Sequence, residues 1–302
     1  MTVAPLETAP DRTLQLAEQL VSSPKGPRRP FSWSMALAYF LLSLGTVVMV
    51  VPFIWMVLTS LKPATELVQF AFLPKEPTLA NYGRVLNTSS FPRWYLNSIM
   101  VAIFSTVCVA FFDSLVGYTL NKFEFPGKNV IFLGILATLM IPTEMLIIPW
   151  YTMSVDLGWH IGYAQYWGIA FPGVITATGI FLMRQFYDGV PNELLDAARI
   201  DGMNEFGIWW KIAIPLVKPA IAALAIFNFI GNWNAYLWPL IIASSREFYT
   251  LPVGLSFFRG ESTVEWEKIM TAASMATVPL LLVFIIFQRQ IIKGIALTGL
   301  KG

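Results

Sequence analysis

Few side chains in this sequence are of a type that does covalent chemistry. One histidine, His160, and one cysteine, Cys108, occur in 302 residues, too few for a His/Cys metal cluster. Cys108 lies inside an apolar run and has no second cysteine to bridge. His160 stands alone in a connection and reads as an ordinary surface residue. The carboxylates are scattered, and no Gly-x-x-x-x-Gly-Lys-Ser/Thr phosphate loop occurs. Gly127-Lys128 is followed by Asn129 and lacks the upstream glycine. The chain is therefore expected to be no enzyme, to hydrolyse no ATP and to need no cofactor or metal.

What remains is polar chemistry inside apolar surroundings. Asp113 and Glu144 are the ionisable residues placed at membrane depth, where a charge is costly and faces a protein interior or an aqueous cavity. Glu144, between Pro142 and Pro149, fits the wall of an outer vestibule or the lipid–water interface equally. Asp113, followed by Ser114, fits a pairing with a partner helix. Asn228, Asn232, Trp233, Asn234 and Tyr236 cluster in one apolar run. Amides beside aromatics suit sugar hydroxyls and the apolar faces of pyranose rings. They suit hydrogen bonding between membrane helices as well. These five and Glu144 are the candidate translocation-path residues.

The elements that must position them are membrane helices. Hydrophobic residues make up 56% of the chain and charged residues 13%, against about 25% charged in a soluble domain. Such a surface faces lipid. Six apolar runs approach or exceed the roughly 20 residues of a crossing helix. They span about 35–58, 98–120, 130–150, 166–183, 220–242 and 275–292. Pro52, Pro142, Pro172, Pro239 and Pro279 fall in or near them, tolerable where neighbours re-satisfy the backbone. The fold class expected is an all-α membrane protein with six transmembrane helices. Residues 1–30 read as a disordered tail, 31–58 as the first helix, 59–97 as an extracytoplasmic loop, 98–293 as the transmembrane core and 294–302 as a second tail. Lysines and arginines concentrate in alternate short connections, from Lys25, Arg28 and Arg29 through Lys122 and Lys128 to Arg184, Arg199, Lys211 and Lys218. By the positive-inside rule both termini are expected in the cytoplasm. The net charge of +2 carries no basic stripe, so nucleic acid is not an expected partner.

The longest cytoplasmic connection, 184–219, is not disordered in character. Pro191-Asn192-Glu193 opens a helical segment with an acid in its first turn, the favourable end for negative charge. Gly202 interrupts it. A second helical stretch from Glu205 to Ile212 carries Phe206, Trp209 and Trp210, and Pro215 is expected to stop it. Helix, glycine turn, helix is compatible with an amphipathic hairpin lying on the membrane and with a docking lever for a cytoplasmic partner.

Asp196-Ala197-Ala198, three residues, Gly202, nine residues, then Ile212-Ala213-Ile214-Pro215 resembles the EAA signature of ABC importer permeases. Asp196 stands where Glu is usual and Ile214 where Leu is usual, departures that keep charge and apolar character. Pro191-Asn192-Glu193-Leu194, Ile200-Asp201-Gly202, Trp233-Asn234 with Pro239-Leu240, and Gly299-Leu300-Lys301-Gly302 extend the resemblance over most of the chain from about residue 31. It is most similar to the smaller, six-span permease of the maltose-type carbohydrate branch, and sn-glycerol-3-phosphate permeases share nearly the same pattern. The resemblance implies the type I ABC importer transmembrane domain in a bacterial or archaeal inner membrane. It implies three kinds of partner besides lipid: a second permease subunit, an ATP-binding-cassette ATPase dimer and an extracytoplasmic solute-binding protein for a sugar or glycerol phosphate, with the ATPase supplying the energy. It marks Glu193, Asp196, Ala197, Ala198, Asp201, Gly202, Asn204 and Pro215 as the coupling positions that meet the ATPase. An ion-gradient-driven secondary transporter is the alternative, but no internal repeat supports it.

Overall fold

A computed structural model of the chain describes residues 33–67, 71–87, 90–258 and 265–299, with the side chains of 289–299 left aside. The expected tail 1–30 and the final residues 300–302 lie outside the described residues. Among these, every regular element is helical.

Three helices are long and apolar enough to cross a bilayer: α1 (Trp33–Ser60), α3 (Phe91–Lys122) and α13 (Trp266–Gly299, of which Trp266–Gln288 meets the criterion). The first described 20 residues of α1, to Pro52, form a unit apart from the compact body that begins at Phe53. A short helix, α2 (Ala80–Asn87), precedes α3. Three further pairs of helices, each bent at a short break, meet the same criterion together, giving six crossings where each pair counts as one span. The expected span 130–150 is α4 (Lys128–Thr138) followed, across a 96° bend, by Thr143–Asp156, whose α-helical part is α5 (Ile147–Asp156). Pro142 sits at the bend, having no N–H to continue the ladder. The expected span 166–183 is α6 (Gln165–Ala170) with its flanking turns, bent by 51° against α7 (Ala177–Asp188). The third pair is Glu205–Leu216 with α10 (Lys218–Trp233), bent by 84°, and the expected span 220–242 runs through α10 and, past a gap at Asn234–Tyr236, into α11 (Leu237–Ile242).

The hairpin in 184–219 is α8 (Asn192–Ile200) and α9 (Glu205–Ile208). α9 does not stop before Pro215. It runs through a π turn, Trp209–Ala213, and one more turn, Ile214–Leu216, before bending 84° into α10. The π turn takes up an extra residue just ahead of the proline, where the missing N–H falls at the start of a new turn. A last short helix, α12 (Leu251–Ser256), lies in the loop before α13.

Within the body from Phe53 onward, one buried core forms where α3, α7 and α10 meet the hairpin. It includes Tyr118, Met183, Tyr187, Leu195, Ile208 and Trp209. A second core, with Phe91, Trp94, Trp233 and Leu251, sits at the other end of α3.

Candidate functional site

The hairpin is built from its turn outward. Gly202 has φ +81°, and a Cβ added there would meet open space. The glycine is required by backbone conformation alone, since the left-handed region is costly for residues with a Cβ. Asn204 caps α9, its Oδ1 accepting from the Gly207 N–H at 2.7 Å. Arg199 joins the two arms: its Nε donates to Glu205 Oε1 at 2.7 Å and its Nη1 to Asp196 Oδ1 at 2.5 Å. The hydrogen bond to Glu205 first, and that to Asp196 after it, hold the guanidinium further above its already high range, so it stays charged.

Two devices fix the hairpin to the spans. Trp209 is fully buried, and its Nε1–H donates to the Tyr187 hydroxyl at 3.2 Å and to Ser114 Oγ at 3.3 Å. Those two hydroxyls are 2.6 Å apart, and Phe111 meets the indole edge-on at 5.4 Å. A satisfied indole N–H in an aromatic socket tolerates little displacement. At the base, Lys122 Nζ donates to the Val190 carbonyl at 2.6 Å and to Asn192 Oδ1 at 2.9 Å.

The other face of the hairpin is bare. Ile200 is 87% exposed, and Leu194, Phe206 and Trp210 are about half exposed. Glu193, Asp196, Ala197, Asp201, Gly202 and Pro215 are exposed beside them. With Asn204, seven of the eight expected coupling positions are thus on the open surface. Ala198 is buried under the hairpin, where a small side chain lets α8 lie close. The Asn204 side chain is used as a cap, although the residue itself is exposed. Asp196 is engaged within the hairpin by Arg199, whereas Glu193 and Asp201 enter no ion pair among the described residues.

In the spans, Asp113 is completely buried. Its carboxylate accepts from the Thr176 N–H at 2.9 Å and from the Thr176 hydroxyl at 2.6 Å. Thr176 in turn caps α7 by accepting from the Gly179 N–H at 3.0 Å. The acid closes the free amide end of a broken span, the favourable end for negative charge. A Cβ on Gly179 would lie 2.0 Å from Asp113 Oδ2, so glycine makes the approach possible.

The expected path residues separate into two groups. Trp233 is 2% exposed, donates to the Ala276 carbonyl on α13 at 3.2 Å and meets Tyr95 edge-on at 5.5 Å. It is packed between helices, where a large ring gains from burial. Asn228 accepts from Thr106 Oγ1 at 3.3 Å, and Asn232 Nδ2 donates to Asn228 Oδ1 at 3.0 Å. Asn234 and Tyr236, at the break between α10 and α11, are exposed, as is Glu144 beside the bend of the third span. Sequence reasoning passed over Thr106, Thr176 and Tyr187. Only the tertiary fold gives them partners.

The chain matches, over residues 113–297, the family described as binding-protein-dependent transport system inner membrane component. It is 34% identical to the arabinooligosaccharides transport system permease protein AraQ of Bacillus subtilis (strain 168), covering 89% of this chain and 96% of that protein. It is 32% identical to the sn-glycerol-3-phosphate transport system permease protein UgpE of Brucella abortus (strain 2308), covering 88% of this chain and 97% of that protein. In fold it is similar to a chain of a bacterial ABC transporter involved in the import of the acidic polysaccharide alginate. That likeness has a TM-score of 0.74 and 24% identity over 95% of this chain and 99% of the other.

Proposed function

The chain belongs to the family of binding-protein-dependent transport system inner membrane components, and from that premise we propose that the hairpin Asn192–Leu216 couples it to a separate ATPase. The chain is a multi-pass permease subunit of an ABC importer. The observation that carries the proposal is the pairing of a keyed inner face with a bare apolar outer one. Trp209 is locked into the spans while Ile200, 87% exposed, stands at the end of α8. An isolated side chain of that kind is unremarkable on a surface, but here Leu194, Phe206 and Trp210 extend it into a patch of the sort a partner's groove receives. Glu193 and Asp201 flank it with charges free to meet basic groups.

In the importer, ATP-driven closure of two ATPase subunits moves this hairpin and its counterpart on a second permease subunit. Because Trp209 and Lys122 tie the hairpin to α3 and α7, the motion reaches the spans without being absorbed in a loose loop. The termini and the loop 184–219 face the cytoplasm. An extracytoplasmic binding protein delivers the solute at the opposite end. The transported solute is a sugar, of the di- or oligosaccharide class, or a glycerol phosphate, in line with the relatives. Glu144, Asn234 and Tyr236 offer exposed polar groups to it, and the Asn228–Asn232 pair stands behind them.

Reconstitution tests this reading. Uptake in proteoliposomes is expected to require ATP and the ATPase subunits and to survive dissipation of proton and sodium gradients. Uptake by this chain alone, driven by either gradient, would contradict it.

A further inference from the structure

A cavity of about 490 Å³ lies where the last turn of α1 meets the start of α13, lined by Trp55, Thr59, Lys62, Phe72, Trp266 and Met270, with Leu67 and Ala71 completing the wall. It sits at the end of α3 opposite the hairpin, where one helix long and apolar enough to cross a bilayer ends and another begins. None of its residues belongs to the hairpin or to the path residues.

Its wall is almost wholly apolar and aromatic, yet it holds a charge. Lys62 is 3% exposed. Its Nζ donates to the Ala71 carbonyl, and among the described residues no carboxylate pairs with it. The nearest acid in sequence is occupied: Glu66 accepts from the backbone N–H groups of Lys75 and Glu76, both at 2.9 Å. Beside Lys62, Thr59 is 3% exposed and its hydroxyl has no hydrogen-bond partner among the described residues. An ammonium removed from water is stable only with its remaining donors engaged and its charge balanced. A buried hydroxyl without a partner likewise calls for one.

We propose that this cavity seats an anionic phospholipid, with the phosphodiester taken by Lys62 and Thr59 and the glycerol and first methylenes held between Trp55 and Trp266. The shared chemistry, an anionic phosphate, is also offered by inorganic phosphate and by soluble phosphate esters. The lipid is favoured by the setting. Tryptophan belongs at the lipid–water boundary, Trp55 and Trp266 are 38% and 50% exposed, and a small hydrated anion gains nothing from an apolar wall.

The test uses the full chain assembled with its partner subunits in phosphatidylcholine nanodiscs containing a minority of phosphatidylglycerol. After transfer to detergent, native mass spectrometry counts the retained phosphatidylglycerol. The wild type is expected to keep it in preference to phosphatidylcholine. Lys62→Met is expected to lose occupancy about tenfold, the scale of one charge-assisted hydrogen bond, and Lys62→Arg to restore most of it. A photoactivatable phosphatidylglycerol on the wild-type assembly is expected to mark the segments 55–72 and 266–270. That needs no variant, so a Lys62→Met chain that fails to assemble leaves the test intact. Competition of the photolabel by unlabelled phosphatidylglycerol, with millimolar phosphate or glycerol 3-phosphate without effect, supports the lipid. Displacement by the soluble phosphates would overturn it in favour of a solute site. Equal retention of both lipids, or labelling spread evenly along the spans, would overturn the site altogether.

Discussion

The hairpin Asn192–Leu216 and the segment Asn228–Tyr236 carry the same kinds of residue, yet the fold uses them in opposite ways. In the hairpin the polar groups close the element on itself: Arg199 bridges Asp196 and Glu205, and Asn204 caps α9. Its apolar groups divide, with Trp209 buried and Ile200 bare. In the fifth span two polar groups reach to neighbouring helices, Asn228 to Thr106 and Trp233 to the Ala276 carbonyl, while Asn232 and Asn234 bond within their own helix. One region is stiff within and open to a partner, whereas the other is braced against its surroundings. A hairpin that transmits force needs the first arrangement, and a span that must keep its place in a bundle needs the second.

The sharpest break in that comparison is Gly202→Pro. Proline is fixed near φ −65° and the position needs +81°, so the turn cannot form. Co-purification with the ATPase and ATP-dependent uptake are expected to fall by roughly a hundredfold or more, while the chain still inserts in the membrane. Normal coupling in this variant would disprove the assignment of the hairpin.

Trp209→Ala comes next. Emptying a fully buried indole site costs about 3–5 kcal/mol, read as a loss of thermal stability of the purified assembly. Trp209→Phe keeps the ring but leaves Ser114 and Tyr187 without the indole donor, at about 1 kcal/mol. If the two variants behaved alike, packing would contribute nothing and the socket would be wrongly described.

Trp233→Phe is the matching change in the other region. It removes the hydrogen bond to Ala276, again about 1 kcal/mol, and is expected to lower stability while leaving the KM for uptake unchanged. Tyr236→Ala, at an exposed position, is expected to do the reverse. A raised KM for Trp233→Phe would place that residue on the path. The smallest effect belongs to Arg199→Met. Its ion pairs are partly exposed, which limits them to about 0.5–1 kcal/mol, and the loss is expected to shrink in high salt.

The spans were legible because length and apolar composition alone set them. Their breaks were only half legible. Pro142 marks the 96° bend of the third span, but the gap at Asn234–Tyr236 carries no proline, and Pro239 lies inside α11 instead. Asp113 was visible as an intramembrane acid, and a helix partner was the right kind of answer. That the partner would be the amide end of α7 depended on a break at Thr176 that no local signal announces. The hairpin was legible through the spacing from Asp196 to Pro215, including its turn glycine. What the spacing left open was which face each residue takes: Ala198 and Trp209 turn inward, Ile200 outward. Lys62 shows the limit most plainly, since a lysine in a polar stretch of sequence reads as a surface residue until the loop folds over it.

The most direct test of the hairpin's role places a benzophenone at its bare end. Ile200→Cys, labelled in a Cys108→Ser background and assembled in proteoliposomes, is expected to cross-link on illumination to the ATPase subunit and to lose ATP-driven uptake in proportion to the cross-link. Cross-linking to lipid alone, with uptake intact, would show a hairpin resting on the membrane and would contradict its role as the coupling element.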